Sequence, residues 1–197
     1  MNENGRNSSF MVIDLLFFTI LAALSEFMSN MLLRTWQSSF YFSFSIALCL
    51  IAMIRWGAVG SVVGILGGIP GILFSDMSFF SGVLFYGFAN ALIGLPMLLY
   101  GERDRNHISR HYGHLLLYIL LCHSCVSLGK GMVIFLLTGE TTGVIDHFGA
   151  TCFILVINVI LCSILKTRDG LICDMRYYFA EEDGEGNPLL CKEGGRR

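Results

Sequence analysis

Apolar residues fall along this chain in blocks of roughly twenty, the length a helix needs to cross the hydrocarbon core of a bilayer. Six blocks stand out, at residues 10–33, 38–54, 56–74, 79–100, 115–137 and 148–166. Only Arg55-Trp56-Gly57 separates the second from the third, so these two are expected to form a tight hairpin. The expected fold is all-α: a polytopic membrane protein with a six-helix transmembrane domain over residues 1–166. The pattern changes from residue 167 onward. Leu171, Ile172, Met175, Tyr178 and Phe179 recur at helical spacing among Arg168, Asp174 and Arg176. That spacing predicts a short amphipathic helix on the inner membrane surface or against a partner. Residues 181–197 read as disordered, so 167–197 is expected to be a cytoplasmic tail.

Composition sharpens this picture. Charged residues make up 14% of the 197, against roughly 25% in soluble globular proteins. Residues 10–100 carry only Asp14, Glu26, Arg34, Arg55 and Asp76, whereas residues 167–197 carry twelve charges. A soluble enzyme, a disordered chain and a secreted disulfide scaffold are all excluded by that distribution. A net charge of −2 offers no basic footprint for nucleic acid. Five of the seven cysteines fall in apolar segments and two (Cys173 and Cys191) in the tail, so they read mostly as small apolar helix residues. Ala23 and Ser25 would suit signal-peptide cleavage, but the preceding apolar stretch is long, carries Asp14 and has one Arg before it. A retained helix is the expectation. Lys and Arg counted at the helix flanks give orientation. Arg6, Arg55, Arg103, Arg105, Arg110, Lys166, Arg168 and Arg176 share one side, and Arg34 stands alone on the other. A multi-pass protein of the cell membrane with both termini cytoplasmic follows.

Ionisable and strongly polar residues at membrane depth are costly and point to function. Here they are Asp14, Glu26, Asn90, His123, Lys130 and Asn158. Under the orientation above, Glu26 and Lys130 both lie toward the outer side, where they either pair or share a cavity open to the outside. Trp36 and Asp76 fall on that side too, and Glu26, Trp36, Asp76 and Lys130 form the candidate substrate-binding set. Trp36 also suits an interface anchor, and Asp76 a plain loop acid. Asn90 and Asn158 suit hydrogen bonds between helices. Gly60, Gly64 and Gly68 repeat every four residues, a smooth stripe for helix packing or for docking a partner. Pro70, just beyond, is expected to break or kink that helix. Cys122-His-Ser-Cys125 invites a redox reading, yet the expected outer loops hold no cysteine for an electron relay. Zinc would find at most three ligands there, so no metal and no cofactor is expected. His107, His111 and His114 beside Arg103, Arg105 and Arg110 suggest a cationic face for lipid headgroups or a partner. The sequence has no phosphate loop, no His-Glu-x-x-His pair and no Gly-x-Ser-x-Gly elbow, so an enzyme is not expected.

Six helices in under two hundred residues, both ends inside, and a glycine-rich third helix (RWGAVGSVVGILGGIPG, residues 55–71) resemble the substrate-binding S component of energy-coupling-factor transporters. The resemblance covers residues 10–166. It implies an outward-facing pocket for a vitamin or small micronutrient. It also implies docking on a transmembrane coupling subunit and two cytoplasmic ATPases, with toppling in the bilayer to release cargo. Where many members carry Ala-x-x-x-Ala in helix one, this chain has Thr19-x-x-x-Ala23 and Ala22-x-x-x-Glu26. The histidine signature of metal-binding relatives is absent, which disfavours nickel or cobalt as cargo. Two other classes stand beside this reading: a non-catalytic membrane adaptor or sensor, and a membrane thiol oxidoreductase built on the Cys122–Cys125 pair.

Overall fold

A computed structural model describes residues 3–36, 43–100, 108–109, 111–167 and 171–175 and, within the first helix, the side chains of residues 8–32. Its helices are α1 (Glu3–Trp36), α2 (Ser45–Trp56), a 3-10 turn (Gly57–Ser61), α3 (Val62–Gly67), α4 (Ile69–Phe74), α5 (Phe79–Leu99), α6 (Tyr112–Thr138) and α7 (Thr142–Lys166). No strand occurs among the described residues. Among the described residues, five helical runs have the length and apolarity to cross a membrane: Ser8–Leu32, Ser45–Phe74, Phe79–Leu99, Tyr112–Thr138 and Thr142–Lys166. The chain is an all-helical, multi-pass membrane protein.

The Ser45–Phe74 run merges the second and third expected segments, and it doubles back at Gly57. That residue has φ 72° and ψ −151°, a conformation close to exclusive to glycine. Beyond it the chain retraces α2. Gly60 meets the Ala52–Met53 peptide, where a Cβ would stand 2.4 Å from the Met53 nitrogen. Gly64 meets Cys49, whose Sγ would lie 3.0 Å from the added Cβ. The turn is the tight hairpin that Arg55-Trp56-Gly57 predicts. Its glycines are where they are because two helix backbones leave no room for a side chain between them.

Other contacts give each limb its direction. α2 runs antiparallel to α1, since Arg55 reaches Asp14 while the Phe44 N–H donates to Ser25 Oγ at 2.8 Å. α3 returns parallel to α1, with Gly67 against Ala22. It passes through Gly68 into α4, and Pro70 sits in the first turn of α4, where its missing N–H is harmless. Instead of breaking the path, Pro70 opens a new helical turn. α5 descends along α3 and α4, and Gly68 and Gly71 admit Tyr86. α6 ascends beside α5, with Gly129 against Ala89 and Leu92. α7 descends along α6, where Gly131 faces Val144 and Phe148. The limbs thus alternate in direction, with Gly57 at one end of the bundle and Gly139 (φ 70°) at the other.

The Gly57 end holds the main apolar core. Leu50, Met53, Ile54, Leu115, Tyr118 and Ile119 are buried together there with Phe18 and Ala22 of α1. Ile172, expected in a separate tail, is buried in the same cluster, and the Arg55 guanidinium donates to the Leu171 carbonyl at 3.3 Å. Tail residues 171–175 therefore pack on the bundle. The expected helix through Tyr178 and Phe179 and the expected disorder of 181–197 lie outside the described residues, as does the 101–107 loop.

Candidate functional site

The Gly139 end is built differently. α1 carries Glu26 there, buried to 1% exposure about 27 Å along the helix from Ser8 at 1.5 Å per residue. α6 carries His123, Ser127 and Lys130 at spacings of four and three, so all three share one buried face. α7 supplies His147 and Asn158, and α5 supplies Phe85, Tyr86 and Asn90. Residues 83–88 of α5 form a π-helical turn. The wider turn lets the consecutive rings of Phe85 and Tyr86 both point inward, which regular α-helical spacing disfavours. Such turns are frequent at functional sites.

Lys130 occupies the centre of this layer at 5% exposure. Its Nζ lies 4.9 Å from the centroid of the Phe85 ring and 5.4 Å from that of Tyr86, within cation–π range. Phe85 also meets the His147 ring edge-on at 5.7 Å. Glu26 is near enough for its charge to act on both Lys130 and Tyr86. Its carboxylate nevertheless leaves Oε2 buried with no hydrogen-bond partner. One turn further in from Tyr86, the Asn90 amide donates through Nδ2 to the Gly64 carbonyl at 3.1 Å, leaving Oδ1 buried and unpartnered. Deeper still, Asn158 Nδ2 and His123 Nε2 are 2.9 Å apart. His123 Nδ1, Asn158 Oδ1 and Ser127 Oγ have no partner. Buried polar atoms are almost always hydrogen-bonded, so five such atoms on facing helices form an exceptional cluster.

Of the candidate binding residues, Glu26 and Lys130 are both buried in this layer. Asp76 is exposed in the bend after α4, at the same end but on the surface. Trp36 closes α1 at that end, and its side chain lies outside the described residues. Gly60, Gly64 and Gly68 all face neighbouring helices of the same chain, so the stripe is a packing surface. Sequence reading missed Phe85 and Tyr86, two rings among sixteen Phe and seven Tyr with nothing in their spacing to single them out. Ser127 was also missed, although its spacing from His123 and Lys130 carried the signal. Asp14, one of the ionisable residues at membrane depth, binds the hairpin: Arg55 Nε donates to it at 2.7 Å and Trp56 Nε1 at 2.5 Å. Cys122 is fully buried with its thiol directed at the Ile93 carbonyl, 3.6 Å away, and Cys125 is half-buried. Among the described residues, no group of three or more His, Cys, Asp or Glu is placed to hold a metal ion.

No protein-family model, curated protein or solved structure matches this chain.

Proposed function

We infer that this protein is the membrane-embedded solute-binding subunit of a transporter, of the kind that the S components of energy-coupling-factor systems represent. One observation carries the reading: buried Glu26 and Lys130 at the Gly139 end, with unpartnered buried polar atoms (Glu26 Oε2, Asn90 Oδ1, Ser127 Oγ and His123 Nδ1) on the helices that face them. A structural core has no use for unpaired carboxylate and amide oxygens. A solute-binding site accounts for them. The sequence carries no ATP-binding motif, so energy for uptake would come from partners: a transmembrane coupling subunit and cytoplasmic ATPases. Six limbs cross the cell membrane in this reading. The Lys/Arg asymmetry puts the Gly57 end and both termini in the cytoplasm and the polar layer toward the outside.

Mass spectrometry of small molecules released from gently purified protein tests the function. A stoichiometric solute is expected, and Lys130→Met should lose it while the unfolding midpoint in detergent stays within a few degrees. Release of no solute from wild-type protein, with no stabilisation by any small molecule, would overturn the reading. Topology has its own test. On a cysteine-free background, a cysteine at position 140 should label only from outside and one at 104 only from inside, and the reverse would reject the orientation.

A further inference from the structure

We propose that the solute bound in the buried layer carries a planar, cationic N–H donor as its head group (an amidinium, a guanidinium or a protonated amino-heterocycle) and that Glu26 receives it. This deepens the solute-binding reading and rests on it.

The two charges of the layer are not equivalent. Lys130 is already accommodated, its ammonium set over the faces of Phe85 and Tyr86. Glu26 is not: it is 1% exposed and its Oε2 has no donor. The Glu26 carboxylate can therefore take a further donor. Asn90 points the same way. Its NH₂ faces the Gly64 carbonyl, and turning the amide over would set oxygen against oxygen, so the unpartnered atom must be the acceptor Oδ1. The Asn158–His123 contact leaves His123 Nδ1 and Asn158 Oδ1 unpartnered, so at least one more acceptor lies deeper in the bundle. An anionic solute would add charge to this excess of acceptors. A cation with two parallel N–H groups would meet the Glu26 carboxylate in the bidentate geometry that makes such pairs strong. The body of the solute would lie against the aromatic wall of Phe85, Tyr86, His147 and Phe148, whose rings already contact one another edge-on.

Three probes of one shape isolate the head group: benzamidine, benzamide and benzoate carry the same ring with a cationic, neutral or anionic substituent. Titrated into the purified full-length protein, benzamidine is expected to bind at least tenfold tighter than benzoate, with benzamide between them. Glu26→Gln should weaken benzamidine at least tenfold and leave benzamide within about twofold. Should that variant fail to fold, the wild-type ranking decides alone. Tighter binding of benzoate than benzamidine, or benzamidine binding indifferent to Glu26→Gln, would overturn the head-group assignment. So would an anionic solute released from the native protein, which would still leave the solute-binding function standing. If none of the probes binds and no solute is released, both readings fall together.

Discussion

Two carboxylates on one helix divide this molecule. Asp14 and Glu26 are twelve residues apart on α1, and both lie within its apolar stretch. Asp14, at the Gly57 end, is met by Arg55 through two nitrogens, at 2.7 and 3.3 Å, and by the Trp56 indole. Its charge is used to fasten the first helix to the hairpin turn. Glu26, at the Gly139 end, is the more deeply buried of the two and has a lysine nearby, yet no donor reaches its Oε2. A buried acid with its donors in place is architecture. One with an oxygen left without a donor marks a place where something else is meant to arrive, because an unsatisfied buried acceptor is costly for a fold to retain.

The largest effect is expected where the satisfied half is assembled. Gly60→Ala would put a Cβ within 2.6 Å of backbone atoms of Ala52 and Met53, and backbone cannot swing aside as a side chain can. The hairpin must open, and with it the placement of Arg55 and Trp56 around Asp14. A loss of about 3 kcal/mol, the upper part of the usual range for overpacking, is expected as a sharply lower unfolding midpoint in detergent. A midpoint unchanged from wild type would mean that the α2–α3 backbones are not in contact.

The next test sets the two acids directly against each other. Asp14→Asn keeps the shape but turns a charged acceptor of three hydrogen bonds into an amide that must present a donor to Arg55. About 2 kcal/mol should be lost, the range for hydrogen bonds to charged groups. Glu26→Gln removes a charge that no hydrogen bond satisfies at Oε2, so it should cost less than half as much. Thermal unfolding of both variants reads this out. Equal losses would show that Glu26 is as structurally engaged as Asp14, and the comparison would collapse.

How much of this was legible beforehand follows the same division. The apolar blocks, the hairpin at Arg55-Trp56-Gly57 and the close-packing glycines were readable because bilayer thickness and small-residue spacing leave direct marks in sequence. Glu26 and Lys130 were readable because charges in apolar runs are conspicuous. What was not readable was which acid would find donors. Arg55 lies 41 residues from Asp14, and only the folded hairpin brings them together. The aromatic seat of Lys130 was equally hidden, since it depends on a π-helical turn at residues 83–88 that composition does not announce. The seat of Ile172 was hidden for a related reason: it looks amphipathic in sequence, and only the structure places it in the apolar cluster at the Gly57 end.

The smallest effect is expected at the thiol pair. Cys122 and Cys125 lie on α6 on either side of His123, three residues apart and so on adjacent turns of one helix, with Cys122 in the apolar core. Cys122 is packed to 0% exposure with its thiol toward the Ile93 carbonyl, which a serine hydroxyl could also reach. Cys125 is less enclosed, and serine there loses little buried apolar surface. The double variant Cys122→Ser/Cys125→Ser should therefore unfold within about 1 kcal/mol of wild type and retain its solute, because these thiols act as small packing groups. The comparison sharpens if this holds, since function would then map to Glu26 and Lys130 and not to the thiols. A large loss of solute binding or transport in the double variant, or a wild-type activity that responds to oxidant and reductant, would move the functional centre to the thiol pair and make the polar layer above it an access route to a redox site.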